Sequence, residues 1–135
     1  MIRGIDHVAV TVSDLDATCR FYQKCLGAKV EESYEINGVV VVQRVALAGA
    51  ILNIHQQGNG VELVARNPLP GSADLCFRWE GDLEKAKETL ESRGVEIVEG
   101  PVDRVSADNN SASSIYFRDP DGNLIELLAE CAKEK

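Results

Sequence analysis

The sequence predicts an α+β protein in which two βαβββ modules form a curved mixed sheet around a central cleft. Three observations support this. The chain repeats itself about 67 residues apart, Asp6-His7-Val8-Ala9-Val10 with Ser13-Asp14-Leu15 being echoed by Ala73-Asp74-Leu75-Cys76-Phe77 with Gly81-Asp82-Leu83. In each copy a period-two apolar run gives way to a helical period and then to three further strand-like runs. The copies also end alike, Gly49-Ala50-Ile51-Leu52-Asn53-Ile54-His55 lying over Gly122-Asn123-Leu124-Ile125-Glu126-Leu127-Leu128. A duplicated unit that cannot bury its own sheet face pairs with its copy, so matched residues are expected to meet near a pseudo-twofold axis.

Residues 4–12 alternate, with Val8, Val10 and Val12 on one face and His7, Ala9 and Thr11 on the other, the period of a strand buried unequally on its two sides. The valine face is expected to carry the next element, a helix. Ser13 reads as its N-cap with Asp16 three residues on, Leu15, Cys19, Tyr22 and Leu26 form its apolar stripe, and Gly27 ends it. Residues 28–35, 39–48 and 50–56 read as strands, separated by Asn37-Gly38 and Ala48-Gly49, which supply the glycines that tight reversals need. The first module therefore spans about 4–56. Residues 57–72 hold Gly58, Gly60, Pro68, Pro70 and Gly71, a composition that resists regular structure and reads as a linker.

The second module spans about 73–128. Residues 73–80 resume strand alternation, and Leu83, Ala86 and Leu90 mark the inner face of a helix ending at Gly94. Residues 95–102, 113–118 and 123–128 supply three more strands, the last reversal being made by Asp119-Pro120-Asp121-Gly122. Residues 103–112, rich in Asp, Asn and Ser, read as a mobile loop over the sheet, placed to act as a lid.

With 135 residues the chain can bury most of its apolar surface without disulfides or a metal staple, so a bound metal would serve function rather than folding. A formal charge of −8 repels nucleic acid and anionic membranes, leaving a small diffusible substrate or a protein as the expected partner. No apolar run approaches a membrane span, and the N-terminus leaves no room for a secretory peptide, so a cytoplasmic location is expected. The four cysteines, at 19, 25, 76 and 131, make no Cys-x-x-Cys pair and are expected to be free thiols.

Strand parity selects the cleft residues: His7, Ala9 and Thr11, then Asn53 and His55, then Asp74, Cys76 and Arg78, and finally Glu126. Both histidines of the chain fall in this set. Two neutral imidazoles and a carboxylate bind a divalent first-row metal while leaving positions open for substrate. Glu126 sits inside the apolar run Leu124–Leu128, where an unpaired carboxylate would cost several kcal/mol, so it needs a partner. Asp74 has an alternative partner in Arg78 on its own strand face, and Arg78 could equally anchor an anionic substrate group. Asn53 suits hydrogen bonding better than metal ligation, and Thr11 completes the substrate-facing set.

The segments Asp6–Val10, Phe21-Tyr22 before Leu26-Gly27, Gly71–Phe77 and Arg118–Glu126 resemble the vicinal oxygen chelate superfamily, which includes glyoxalase I, bleomycin-resistance proteins, fosfomycin-resistance thiol transferases and extradiol dioxygenases. The likeness runs from residue 4 to residue 128, and Leu52–His55 with Pro68–Cys76 is most similar to the glyoxalase domain-containing protein 5 type. The resemblance implies a metal site drawing on His7, on His55 or Asn53, on Asp74, and on Glu126. Asp74 stands where active lyases and thiol transferases carry His, and Asn53 where a glyoxalase carries Glu, which departs from the lactoylglutathione lyase pattern. Asp74 can still bind metal; without it the resemblance leaves His7, His55 and Glu126 as a three-ligand site like the two-His-one-carboxylate arrangement of non-haem iron enzymes. It implies a lyase, isomerase or dioxygenase using Ni, Mn, Fe, Co or Zn, with Glu126 or Asp74 moving a proton and Arg78, Asn53 and Thr11 binding substrate. A metal-free drug-sequestering protein is the alternative, followed by a thiol transferase. The resemblance also implies a homodimer, with modules paired within a chain or exchanged between chains.

Overall fold

The computed structural model describes residues 1–132. The chain divides into two compact units, Met1–Ser72 and Ala73–Lys135. Both are built as βαβββ with the same strand order, and no described helix is long and apolar enough to cross a membrane.

The first unit runs β1 (Val8–Val12), α1 (Leu15–Leu26), β2 (Lys29–Ile36), β3 (Val39–Leu47) and β4 (Ala50–Gln56). Its sheet order is β1-β4-β3-β2, with β1 parallel to β4 and the other pairs antiparallel. Alternation works as expected from Val10 onward, while Val8 at the strand's start is exposed: Val10, Val12, Val45, Leu52 and Ile54 are buried together with Leu15, Cys19 and Tyr22 of α1. Asn37 and Gly38 both take positive φ, as a two-residue hairpin turn requires. The first strand is shorter than its alternation suggests. Pairing with β4 begins at Val8 opposite Leu52, so residues 4–7, His7 included, precede the ladder.

The helix cap also moves by one residue. Asp14, not Ser13, is the N-cap, because its carboxylate accepts the Ala17 N–H at 3.0 Å, one of the amides a helix start leaves without a carbonyl. The Leu15 N–H is taken by Gln56 Oε1 at 2.9 Å, which ties the helix start to the end of β4. Replacing Asp14 by Ala is expected to cost about 1 kcal/mol, read as a lower midpoint in chemical unfolding.

The second unit runs β5 (Asp74–Arg78), α2 (Leu83–Ser92), β6 (Glu99–Val105), β7 (Ser111–Arg118) and β8 (Leu124–Glu130) in the order β5-β8-β7-β6. Leu83, Ala86 and Leu90 face inward as read from the sequence. The expected strand at 95–102 instead begins at Glu99 and continues to Val105, and β7 begins at Ser111. The expected lid over 103–112 is therefore a correction: its two ends belong to a β-ladder, with Asp103, Arg104 and Val105 opposite Ser113, Ala112 and Ser111. Loop-like composition gave way to backbone pairing along a neighbouring strand, which local preference does not anticipate. Residues 106–110 form the reversal, closed by Ser106 N–H to the Asn110 carbonyl and Asn109 N–H to the Ser106 carbonyl, both at 2.9 Å.

A buried polar knot sets the second unit's register. Asp119 Oδ1 accepts the amides of Asp121 and Asn123, each at 3.0 Å, and Oδ2 accepts Asn123 Nδ2 at 2.8 Å. Asn123 Oδ1 in turn accepts the Ala73 N–H at 2.9 Å, fixing the entry to β5. With every partner supplied, burying these groups carries little penalty. The result is the register that places Cys76 beside Glu126.

Candidate functional site

In the first unit, the sheet places Ala9 opposite Asn53 and Thr11 opposite His55, and the next strand sets Arg44 opposite Asn53. Because opposed residues share a face, Thr11, Asn53, His55 and Arg44 lie on the side away from the buried valines. His7, just ahead of β1, is exposed and places its Nδ1 2.8 Å from Asp6 Oδ1. That hydrogen bond, and then the imidazole charge, holds the Asp6 carboxyl below the ordinary carboxylate range. Burial pushes the His55 imidazole down, and nearby His7 adds to the effect, so His55 resists becoming charged. His55 and Thr11 line a cavity of about 120 Å³ whose wall includes Asn59, Val61, Val64 and Pro68.

In the second unit, Glu126 stands between Cys76 of β5 and Tyr116 of β7. The fully buried Ser114 donates its hydroxyl to Glu126 Oε2 at 2.6 Å. This supplies the partner the apolar surroundings of Glu126 require. Arg104 donates Nε–H to the Tyr116 hydroxyl at 2.8 Å and lies over that ring, its guanidinium carbon 5.3 Å from the centroid. The Cys76 thiol is pushed up to about 11, first by desolvation and then by the Glu126 carboxylate, so it stays protonated at neutral pH. None of the four cysteines is in a disulfide, as the spacing implied.

Arg78 is committed elsewhere. Its Nη1 meets Glu130 at 2.6 Å and its Nη2 meets Asp108 at 3.1 Å, so the guanidinium is already neutralised by two carboxylates other than Asp74. Asp74 itself is exposed at the first position of β5, opposite Leu124. Ser114, Tyr116 and Arg104 were missed as neighbours of Glu126. The Asp119–Gly122 turn held the signal for two of them, since Arg118 opposite Leu124 carries Tyr116 to Glu126. Arg104 lay in the segment read as loop.

Within each unit, among the described residues, no three His, Cys, Asp or Glu side chains converge on a point. The individual donors can be tested by their own partners. A histidine that binds metal through Nε2 donates its Nδ1–H to an acceptor, usually a carboxylate or carbonyl, and ligating carboxylates are themselves hydrogen-bonded. His7 with Asp6 satisfies the first condition, and Glu126 with Ser114 satisfies the second while leaving Oε1 unclaimed by that bond.

Residues 4–127 match the family model described as Glyoxalase/Bleomycin resistance protein/Dioxygenase superfamily. The virulence protein STM3117 of Salmonella typhimurium is 41% identical over 127 residues, covering 94% of this chain and 84% of that protein. A protein from the mobile metagenome of V. Pseudocholerae superposes with a TM-score of 0.87 at 40% identity, covering 98% of each chain. The fosfomycin resistance protein FosX of Listeria monocytogenes, in a structure with Mn(II) and sulfate, superposes with a TM-score of 0.67 at 26% identity, covering 97% of this chain and 93% of that one. A doubled βαβββ chain matched by that model over nearly its whole length belongs to the glyoxalase/bleomycin resistance/dioxygenase superfamily.

Proposed function

We propose that this protein is a divalent-metal-dependent enzyme acting on a small molecule that chelates the metal through adjacent oxygens, with lyase, isomerase or dioxygenase chemistry. Relatives named as an ethylmalonyl-CoA/methylmalonyl-CoA epimerase, a metallothiol transferase and a biphenyl-2,3-diol 1,2-dioxygenase support an enzymatic reading. The observation that carries the reading is the pair of outer partners, Asp6 on His7 and Ser114 on Glu126, which orient the two donors as ligands are oriented elsewhere. His7 and Glu126 are the core of the donor set, with His55 as the further imidazole the sequence offers. The metal would supply Lewis acidity at a substrate oxygen.

The chain's own groups would do the rest. Ser114 and the Cys76 thiol both hydrogen-bond the Glu126 carboxylate, which would be the group to take up or release a proton. Asp74, exposed at the start of β5, is the second candidate acid–base group. Thr11 and Asn53 bind substrate from the first unit. Arg104, stacked on Tyr116 near Glu126, is a better anion anchor than Arg78, whose charge is spent on Asp108 and Glu130.

Elemental analysis of protein purified without added metal, followed by titration with Mn, Fe, Co, Ni and Zn salts, tests the proposal. About one ion per site is expected. A protein indifferent to all five ions, yet binding cationic aromatic compounds, would replace this reading with drug sequestration.

A further inference from the structure

The two histidines face opposite kinds of neighbour, and this separates their roles. Asn59 sits between Gly58 and Gly60, both at positive φ, in the loop leaving β4. Its side-chain amide has a determined orientation: Nδ2 donates to the Val41 carbonyl at 3.1 Å, and Oδ1 accepts the Val61 N–H at 2.9 Å. Exchanging oxygen and nitrogen would set acceptor against acceptor and donor against donor, losing both bonds. The same Nδ2 lies 3.4 Å from His55 Nδ1. A ring nitrogen facing an N–H donor must present its lone pair, which puts the proton of the neutral ring on Nε2.

We infer that Asn59 holds His55 as the Nε2–H tautomer, so that His55 serves as a hydrogen-bond donor to a substrate oxygen in the first unit's cavity while His7 serves as the metal-binding imidazole. Ligation through His55 Nε2 would require a proton on Nδ1, directed at the Asn59 amide hydrogens. His7 has the reverse arrangement, with the Asp6 carboxylate ready to receive an Nδ1 proton. The cavity that His55 lines has an apolar side from Val61, Val64 and Pro68 and polar groups from Thr11 and Asn59. It suits a small ligand bearing a carbonyl, enolate or phenolate oxygen, and the Nε2–H of a neutral ring can stabilise such an oxygen without adding charge. Asn59 is then a positioning residue. The division of labour rests on the proposed metal enzyme and takes His55 out of its donor set; the tautomer is independent of that reading.

The test is a long-range ¹H–¹⁵N correlation spectrum of ¹⁵N-histidine-labelled full-length protein at about pH 8, where an ordinary imidazole is neutral. With two histidines in the chain, His55→Gln assigns both rings. The metal-free protein should show His55 as Nε2–H and His7 as Nδ1–H. Asn59→Asp, nearly isosteric, should convert His55 to Nδ1–H, and Asn59→Ala should give a tautomer mixture. On adding Zn²⁺, the His7 ring nitrogens should shift and the His55 pattern should persist. An Nδ1–H His55 in the unaltered protein, a tautomer indifferent to both Asn59 substitutions, or Zn²⁺ coordination at His55 would overturn the inference. If neither ring responds to Zn²⁺ while the metal-free tautomers and the Asn59 response hold, the metal reading fails and the assignment of His55 as a locked donor stands.

Discussion

His7→Ala protein is expected to bind Mn(II) or Zn(II) about 100-fold more weakly than the unaltered protein, or worse, with almost no change in stability. The affinity loss follows from removing a donor atom outright, whereas removing an outer partner typically costs only about 10- to 100-fold. Asp6→Ala should therefore fall between the two proteins, because His7 keeps its lone pair but loses the carboxylate that orients the ring. Stability should hold because His7 lies exposed ahead of β1, outside the ladder, where substitutions usually change stability by less than about 0.5 kcal/mol. Isothermal titration of the three proteins, paired with their melting curves, provides the measurement. Equal metal affinity in all three would remove His7 from the site.

Gly100→Ala should destabilise the protein by about 3 kcal/mol or more, the largest stability effect expected of one added methyl group. Gly100 adopts φ +109°, a conformation that L side chains rarely take, and a Cβ there would collide with the Ser114 carbonyl oxygen and stand 2.9 Å from Ile115 Cα. Both obstacles are backbone of β7, so no side-chain rotation relieves them. For a unit of this size that loss corresponds to a fall in melting temperature of roughly 10 °C or more. The substitution also reaches the site, since β7 carries the Ser114 hydroxyl that holds Glu126. Where the variant folds, its metal affinity should fall as well. A melting temperature within about 2 °C of the unaltered protein would mean that β6 and β7 separate more easily than their packing implies.

Much of the fold was legible because its signals are local. Val10 and Val12 show their burial through alternation, Leu83, Ala86 and Leu90 through helical spacing, and Gly27 its stop through the left-handed φ it adopts. The misread strand limits lie where a distant partner decides. Residues 4–7 alternate like a strand but precede the ladder, whereas residues 103–105 look like loop yet pair with Ser113, Ala112 and Ser111. Asp14 displaced Ser13 as the cap because its carboxylate reaches the Ala17 amide. Among the candidate site residues, parity did place Thr11 with His55 on one face of the first sheet, whereas Tyr116 beside Glu126 went unread although the hairpin at Asp119–Gly122 held its signal.

The amino-acid sequence by itself determined the doubled βαβββ plan, the inner faces of both helices, the acidic character, and the strand faces that carry His55 and Glu126. Tertiary structure alone decided what each polar side chain meets. Arg78 was captured by Glu130, 52 positions away, Ala73 was tied to Asn123 across 50, and the Asn59 amide was turned toward His55 by the Val41 carbonyl, 18 positions earlier. Periodicity and capping act over one or two turns of chain and can be read there. The choice of hydrogen-bond partner is made only when strands far apart in sequence come within about 3 Å, and it is that choice which sets the chemistry of a histidine or a carboxylate.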